Sequence, residues 1–359
     1  MLTLVINKTL LSQQKHPSLA LKCLLTLILL LSLASCSTQN QQAHHASIIV
    51  FGTTVNITVY HHENELKNAI QAIQTVEKQF HLFHKKWHAW EPGGIVSKIN
   101  QAITTNTPIK INDSVKSFII KSQELTLKSH GLFDPGIGQL IALWGFHGEE
   151  WQGPPPKEQL ITEWLATQPS ILDIYFKNDM LYSKNSGVQL DFGGNAKGLA
   201  IDIALQSLKD VGIKNAIVSI GGDMKAIGLK NGQPWNIGIQ NPFKPREAIA
   251  SIHLNSGESI VTSGTYQRYF EWQGKRYSHI LNPKTGYPAN SFASVTVVHP
   301  DAVIADSAAT ALLIAGPENW KRILISMQIK YAMLIDKQGK IFQTESMSKR
   351  IKLLEVLSQ

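Results

Sequence analysis

The chain has 359 residues, enough for one large domain or two modest ones, and a hydrophobic content of 43%, ordinary for a globular protein. Its formal charge of +8 comes with no arginine-rich block and no nucleic-acid-binding motif, so no DNA or RNA partner is expected. The only cysteines are Cys23 and Cys36, which excludes thiolate metal sites, disulfides and a nucleophilic thiol from the chain beyond residue 36.

Residues 1–35 read as a secretory leader. Lys8, Lys15 and Lys22 precede an apolar run from Leu24 to Leu33, too short to span a bilayer and suited to a signal-peptide core. The run ends in Leu33-Ala34-Ser35-Cys36, which resembles the lipobox of bacterial lipoproteins, where the cysteine becomes the acylated, palmitate-bearing N-terminus. The alternative is an ordinary secretory signal with a chance cysteine at its cleavage site. On the lipobox reading Cys36 carries lipid and residues 36–46 form a polar tether. The body, 47–359, then lies outside the cytoplasm, on the periplasmic side, anchored to the inner or the outer bacterial membrane. Loss of the leader removes three lysines and no acid, so the formal charge falls from +8 to +5. That excess suits a polyanionic small molecule or an anionic membrane surface.

Ser47 to Tyr60 alternates and is rich in β-branched residues, which predicts a strand pair or a long bent strand broken at Gly52. Glu65 to Phe83 has helical spacing, as has Ser114 to Ser129. Pro154 to Pro156 mark a rigid connection. Asn195 to Val211 predicts a helix behind a Gly-Gly turn. Strands are expected at 216–219, 235–239, 248–254, 259–262 and 295–298, and a closing hairpin at 331–335 and 340–343. Strands and helices without a βαβ rhythm favour an α+β fold with largely antiparallel sheets packed with helices.

Five segments carry the polar chemistry. Asp306 and Thr310 lie one helical turn apart in the apolar run VIADSAATALLIAG, so they share one helix face. A carboxylate and a hydroxyl aimed at one point suit a hard cation such as Mg²⁺; the alternative is Asp306 as an N-cap and Thr310 as a core residue. Asp191-Phe192-Gly193-Gly194-Asn195-Ala196-Lys197-Gly198 follows a strand and opens a helix. Adjacent glycines, helix-start N–H groups and Lys197 suit a phosphate or pyrophosphate, against a plain tight turn with a surface lysine. Gly221-Gly222-Asp223 is a second such turn, with Asp223 either a working carboxylate or a turn cap. His279, before Asn282-Pro283, is either a general base or structural. His81, His84 and His88 share a helix face, as a metal set or as an amphipathic helix end.

In order along the chain, these motifs resemble the ApbE family of FAD:protein FMN transferases. The resemblance runs from Phe51 to Gly316. It takes in Phe51-Gly52-Thr53, Ser97-Lys98-Ile99-Asn100, Gly131-Leu132-Phe133-Asp134-Pro135, Asp191 to Gly198, Gly221-Gly222-Asp223, Ser263-Gly264, His279 to Gly286 and Ala305 to Thr310.

The resemblance implies an ApbE-like, T-fold-related architecture. It implies an enzyme that cleaves FAD and attaches FMN through a phosphoester to a threonine or serine of an extracytoplasmic target flavoprotein, releasing AMP, with Mg²⁺ as the metal. Asp306 and Thr310 match side-chain metal ligands, and Gly194 a backbone-carbonyl ligand. Asp191, Lys197, Ile280 and Leu132-Phe133-Asp134 match FAD contacts; Phe51 and Trp90 match residues around the flavin. His279 matches the motif histidine proposed to assist catalysis, and Asp223 is a second candidate base or a cap. Two other readings stand beside transfer: a Mg²⁺-dependent FAD pyrophosphatase using water, and a lipoprotein that binds flavin without chemistry. The sequence departs from the family pattern at Phe51, often Met, at Gly94-Ile95, usually Ser-Glu, and at Asn282, commonly Asp.

Overall fold

The computed structural model describes residues 41–148 and 150–354. The leader, Cys36 and the first part of the tether lie outside the described residues.

An eight-stranded antiparallel sheet organises the fold. Its strands are β1 (Gln42–Val50), β2 (Thr53–His61), β3 (Asn215–Ile220), β4 (Asp223–Ile227), β5 (Ser259–Gly264), β6 (Phe292–His299), β7 (Tyr331–Asp336) and β8 (Ile341–Gln343). They lie side by side in chain order. The other described elements are excursions between neighbouring strands, except a short helix (Glu345–Ser348) and a strand (Ile351–Leu353) that follow β8. The fold is therefore α+β with antiparallel sheet, as the strand and helix pattern predicts.

β1 begins at Gln42, which pairs with His61, so residues 42–46 belong to the sheet rather than to a tether. The two strands are joined by Phe51-Gly52 alone, both at positive φ (61° and 65°). That is the type I′ geometry whose twist matches a hairpin. Gly52 adopts it without cost; Phe51 does not, and its ring is held edge-on against Phe80, Phe83 and His84.

Helix α1 (Leu66–Trp87) buries Ala69, Ile73, Val76 and Phe80. The excursion between β2 and β3 also holds α2 (Ile95–Thr104), α3 (Asp113–Lys128), α4 (Gly138–Leu143) and α5 (Glu158–Thr167), with a small three-stranded sheet of 109–110, 180–183 and 174–177. Helices α2, α4 and α5 are not among the elements expected from the sequence. Helix α6 (Ala196–Asp210) leads into β3, and α7 (Ala302–Ser326) joins β6 to β7. A core of Ile201, Leu205 and Leu208 with Val55, Ile57 and Val218 fixes α6 to the sheet. Leu312 and Leu313 fix α7 against Val295 and Val297. The opposite face is covered by strands 235–241 and 244–254, through Trp235, Ile252 and Leu254 against Ile260, Val298 and Met333.

α7 is capped by Asp301, whose side chain accepts from the Ile304 N–H at 3.0 Å. Asp306 is thus interior to the helix, which removes the N-cap alternative. The helix kinks at Gly316 (φ 70°, ψ 177°) before Pro317, which restarts it. No described helix is long and apolar enough to cross a membrane.

Candidate active site

The site is assembled where α6 crosses α7. Gly198 faces the first turn of α7, close enough that its N–H donates to Asp306 Oδ2 at 3.3 Å. Lys197, one residue earlier, puts its Nζ 3.7 Å from Asp306 Oδ1 and in direct contact with Asp223 Oδ2. The other Asp223 oxygen accepts from the Thr262 N–H at 3.1 Å, which anchors that carboxylate to β5. One turn beyond Asp306, Thr310 Oγ1 lies 3.2 Å from Ser263 Oγ and beside Gly194, as helical spacing predicts.

Asp306 and Asp223 are both 2% exposed. Burial pushes the Asp306 carboxyl up to about 7, against the attraction of Lys197 and together with the repulsion of Asp223. Lys197 is raised as well: burial alone would lower it, but Asp223 and Asp306 outweigh that and hold it protonated. Among the described residues the Asp306 oxygens have only two long polar contacts, so this is a carboxylate short of positive charge. Asp306 and the Thr310 hydroxyl one turn on, with Gly194 beside Thr310, are hard oxygen donors that could hold a cation. Among the described residues no three His, Cys, Asp or Glu side chains cluster as a metal site by themselves. A cation here would need hydroxyl, carbonyl and ligand oxygens to complete its shell.

The Asp191 turn is fixed from two sides. Asp191 Oδ1 accepts from the Gly193 N–H and Oδ2 from Trp90 Nε1, each at 2.8 Å. Trp90 is oriented in turn by His88, whose Nδ1 accepts from the N–H groups of Trp90 and Glu91. That is the role of His88; with His84 against Phe51, the histidines of α1 work as a helix end and not as a metal set. The strand expected before the turn is instead an irregular segment with one isolated bridge, Gln189 to Ile137, and Asn100 pins it: its amide exchanges two hydrogen bonds with the Leu190 backbone, at 2.7 and 2.9 Å. Phe133 packs against Gly194.

Three expected contact residues are placed differently. Asp134 has its oxygens engaged by Ser170 and by the N–H groups of Gly136 and Ile171, so its side chain braces the loop. Leu132 and Ile280 are core residues, 7% exposed each, and offer the cleft little beyond their backbone. Several helix-start amides expected to face an anion are also spent internally, those of Gly193, Asn195, Ala196 and Gly198.

His279 joins the site through Arg268, whose carbonyl accepts from its backbone N–H and lies 3.1 Å from its Nδ1. The Trp151 ring is parallel to the imidazole, with centroids 6.4 Å apart. Burial and the Arg268 charge lower this histidine to about 4, so it is neutral at pH 7. Trp151 and the roles of Asn100 and Arg268 are absent from the sequence reading. An arginine in a polar stretch straight after an apolar strand was the available signal for Arg268; nothing local marks the partner of Asn100, 90 residues away.

Comparison with known proteins places the chain in a family. The ApbE family model matches residues 51–335. A FAD:protein FMN transferase of Rhodobacter capsulatus is 33% identical over 85% of this chain, which spans 58% of that protein's length. One from Vibrio cholerae is 29% identical over 87% of this chain and 93% of its own. The ApbE protein of Thermotoga maritima superposes with a TM-score of 0.79 at 31% identity, covering 86% of this chain and 99% of its own. The flavin transferase ApbE from Vibrio cholerae gives 0.76 at 26%, covering 86% and 99%. With the match extending over most of its length and through every turn of the site, the chain belongs to the ApbE family.

Proposed function

We propose that the protein is a FAD:protein FMN transferase that uses Mg²⁺, moving FMN from FAD to a threonine or serine of a target flavoprotein. The observation that carries this reading is the buried, charge-deficient Asp306 with Thr310 and Gly194, set beside Lys197 at the opening of α6. The names borne by the relatives support the same activity.

Phosphoryl transfer needs alignment and charge neutralisation more than covalent help. Asp306, Thr310 and the Gly194 carbonyl would hold Mg²⁺, which when bound supplies positive charge to the pyrophosphate oxygens. Lys197 stays protonated between its carboxylates and orients them. The acceptor oxygen forms a bond to the FMN phosphorus while the bond to the bridging oxygen breaks, and AMP departs with that oxygen. His279, neutral at pH 7, takes the hydroxyl proton. Asp223, ion-paired with Lys197 and bound to the β5 backbone, positions the lysine.

The leader sequence supports a lipid anchor at Cys36 and an extracytoplasmic location, where the acceptor protein would also reside. The test is incubation with FAD, Mg²⁺ and a candidate acceptor domain. A fluorescent flavin band that survives denaturing electrophoresis is the expected result. AMP and free FMN without the band would favour hydrolysis, and intact FAD throughout would refute both.

A further inference from the structure

The site is short of positive charge for the ligand it faces. Asp191, Asp223 and Asp306 bring three carboxylates to the α6 opening, and Lys197 is already committed to two of them. The amides of Gly193, Asn195, Ala196 and Gly198 donate within the protein. A pyrophosphate brings about two further negative charges, which carboxylates at close range repel. Mg²⁺ held at Asp306 would offset part of this.

Arg268 is placed to offset the rest. It lies in the excursion between β5 and β6, and its guanidinium reaches the Phe51-Gly52 turn: a Cβ on Gly52 would stand 3.3 Å from its terminal nitrogen. It also lies 5.4 Å from the centre of the Trp151 ring. Its charge acts on Asp191, on Lys197 and on His279. Yet it forms no ion pair among the described residues, and its side chain remains open to solvent. An unpaired guanidinium thus stands between the turn at the flavin side, the candidate base and the anion turn. Its planar fork is suited to gripping two phosphoryl oxygens at once.

We propose that Arg268 is a binding residue for the pyrophosphate of the flavin dinucleotide, selecting FAD over flavins without a diphosphate. This rests on the transferase reading above. Arg268 then counters the charge that grows on the departing phosphate as well as holding the ground state.

The test compares wild-type protein, Arg268→Gln and Arg268→Lys, each full-length body with Mg²⁺. FAD and riboflavin binding are followed by flavin fluorescence, ADP binding by displacement of FAD, and folding by thermal unfolding. Arg268→Gln is expected to weaken FAD and ADP by about ten- to a hundredfold, the range for a lost charged hydrogen-bond pair. Riboflavin affinity and Tm should stay at the wild-type level. Arg268→Lys, which keeps the charge and loses the fork, should fall between. Unchanged FAD affinity in Arg268→Gln would overturn the proposal while leaving the transferase reading intact. So would a parallel loss of FAD and riboflavin with a lower Tm, which would make Arg268 a brace. A wild-type protein that binds neither FAD nor ADP would overturn both.

Discussion

Gly198→Ala tests whether the site depends on the close approach of α6 to α7. A Cβ there would stand 2.6 Å from the carbonyl carbon of Ala302 and 2.8 Å from the nitrogen of Val303, and closer still to the Ala302 carbonyl oxygen. All three are backbone atoms, so no rotamer change relieves the clash. Reaching ordinary carbon contact distances of about 3.5 Å requires the helices to part by about 1 Å. Overpacking of this kind costs about 1–3 kcal/mol, here toward the upper end because backbone meets backbone. Alanine returns about 1 kcal/mol of helix propensity. The net loss is about 2 kcal/mol, a fall of about 3 °C in Tm for a domain of this size. Lys197 and Asp306 ride on these two helices, and the Gly198 N–H itself bonds Asp306, so flavin transfer should fall by more than tenfold, about the effect of a 1.4 kcal/mol misalignment. Thermal unfolding and the FAD transfer assay measure the two effects. A variant with wild-type or higher Tm and full transfer would show that propensity outweighs packing and that the crossing does not set the geometry.

Asn100→Leu should strand the Leu190 N–H and C=O in the core, at a cost of about 2–4 kcal/mol read from denaturant unfolding; unchanged stability would mean the Asp191 turn is held by other contacts. Asp306→Asn should abolish Mg²⁺-dependent transfer while the protein stays folded. Because the folded Asp306 carboxyl titrates at about 7 against 3.8 for an ordinary one, the metal-free protein should be stabilised at low pH and lose that contribution between 3.8 and about 7. In Asp306→Asn this stretch of the stability profile should flatten, and an equally steep profile would place the titration elsewhere. His279 has the opposite sign: lowered from 6.5 to about 4, it contributes full stability above 6.5 and loses it as pH falls toward 4. An NMR titration of its ring should show a midpoint near 4, rising toward 6.5 in Trp151→Ala as the ring gains water; a wild-type midpoint of 6.5 would refute the shielding by Trp151.

What the sequence disclosed follows from how local each signal is. The Asp306–Thr310 face is legible because helical period alone puts i and i+4 together, and a carboxylate in an apolar helix demands a partner. The Gly193-Gly194 turn and the hairpin at Gly52 are legible for the same reason: their geometry is settled within a few residues. Seven of the eight strands of the main sheet are legible as segments; β4 (Asp223–Ile227), hidden behind its Gly-Gly turn, is not, and neither is the strand order, because pairing is a long-range choice that alternation does not encode. Helices α4 and α5 are short, 6 and 10 residues, and held by packing of Leu140, Trp144, Ile161 and Trp164 against Phe270 and Leu281 rather than by propensity.

The misplaced site residues have one physical cause. A motif says which side chains occur near a ligand, and only the fold says which atoms face it. Asp134 looked like a polar contact, but its oxygens close a loop through Ser170 and Ile171. The α6 amides looked like an anion cradle, but most were needed to satisfy the turn that presents them. Removing those donors from the ligand's side leaves the site with more negative charge than positive. That imbalance, invisible in any single motif, is what a cation held at Asp306 would relieve on the proposed reading, and it is the ground for the role proposed for the guanidinium of Arg268.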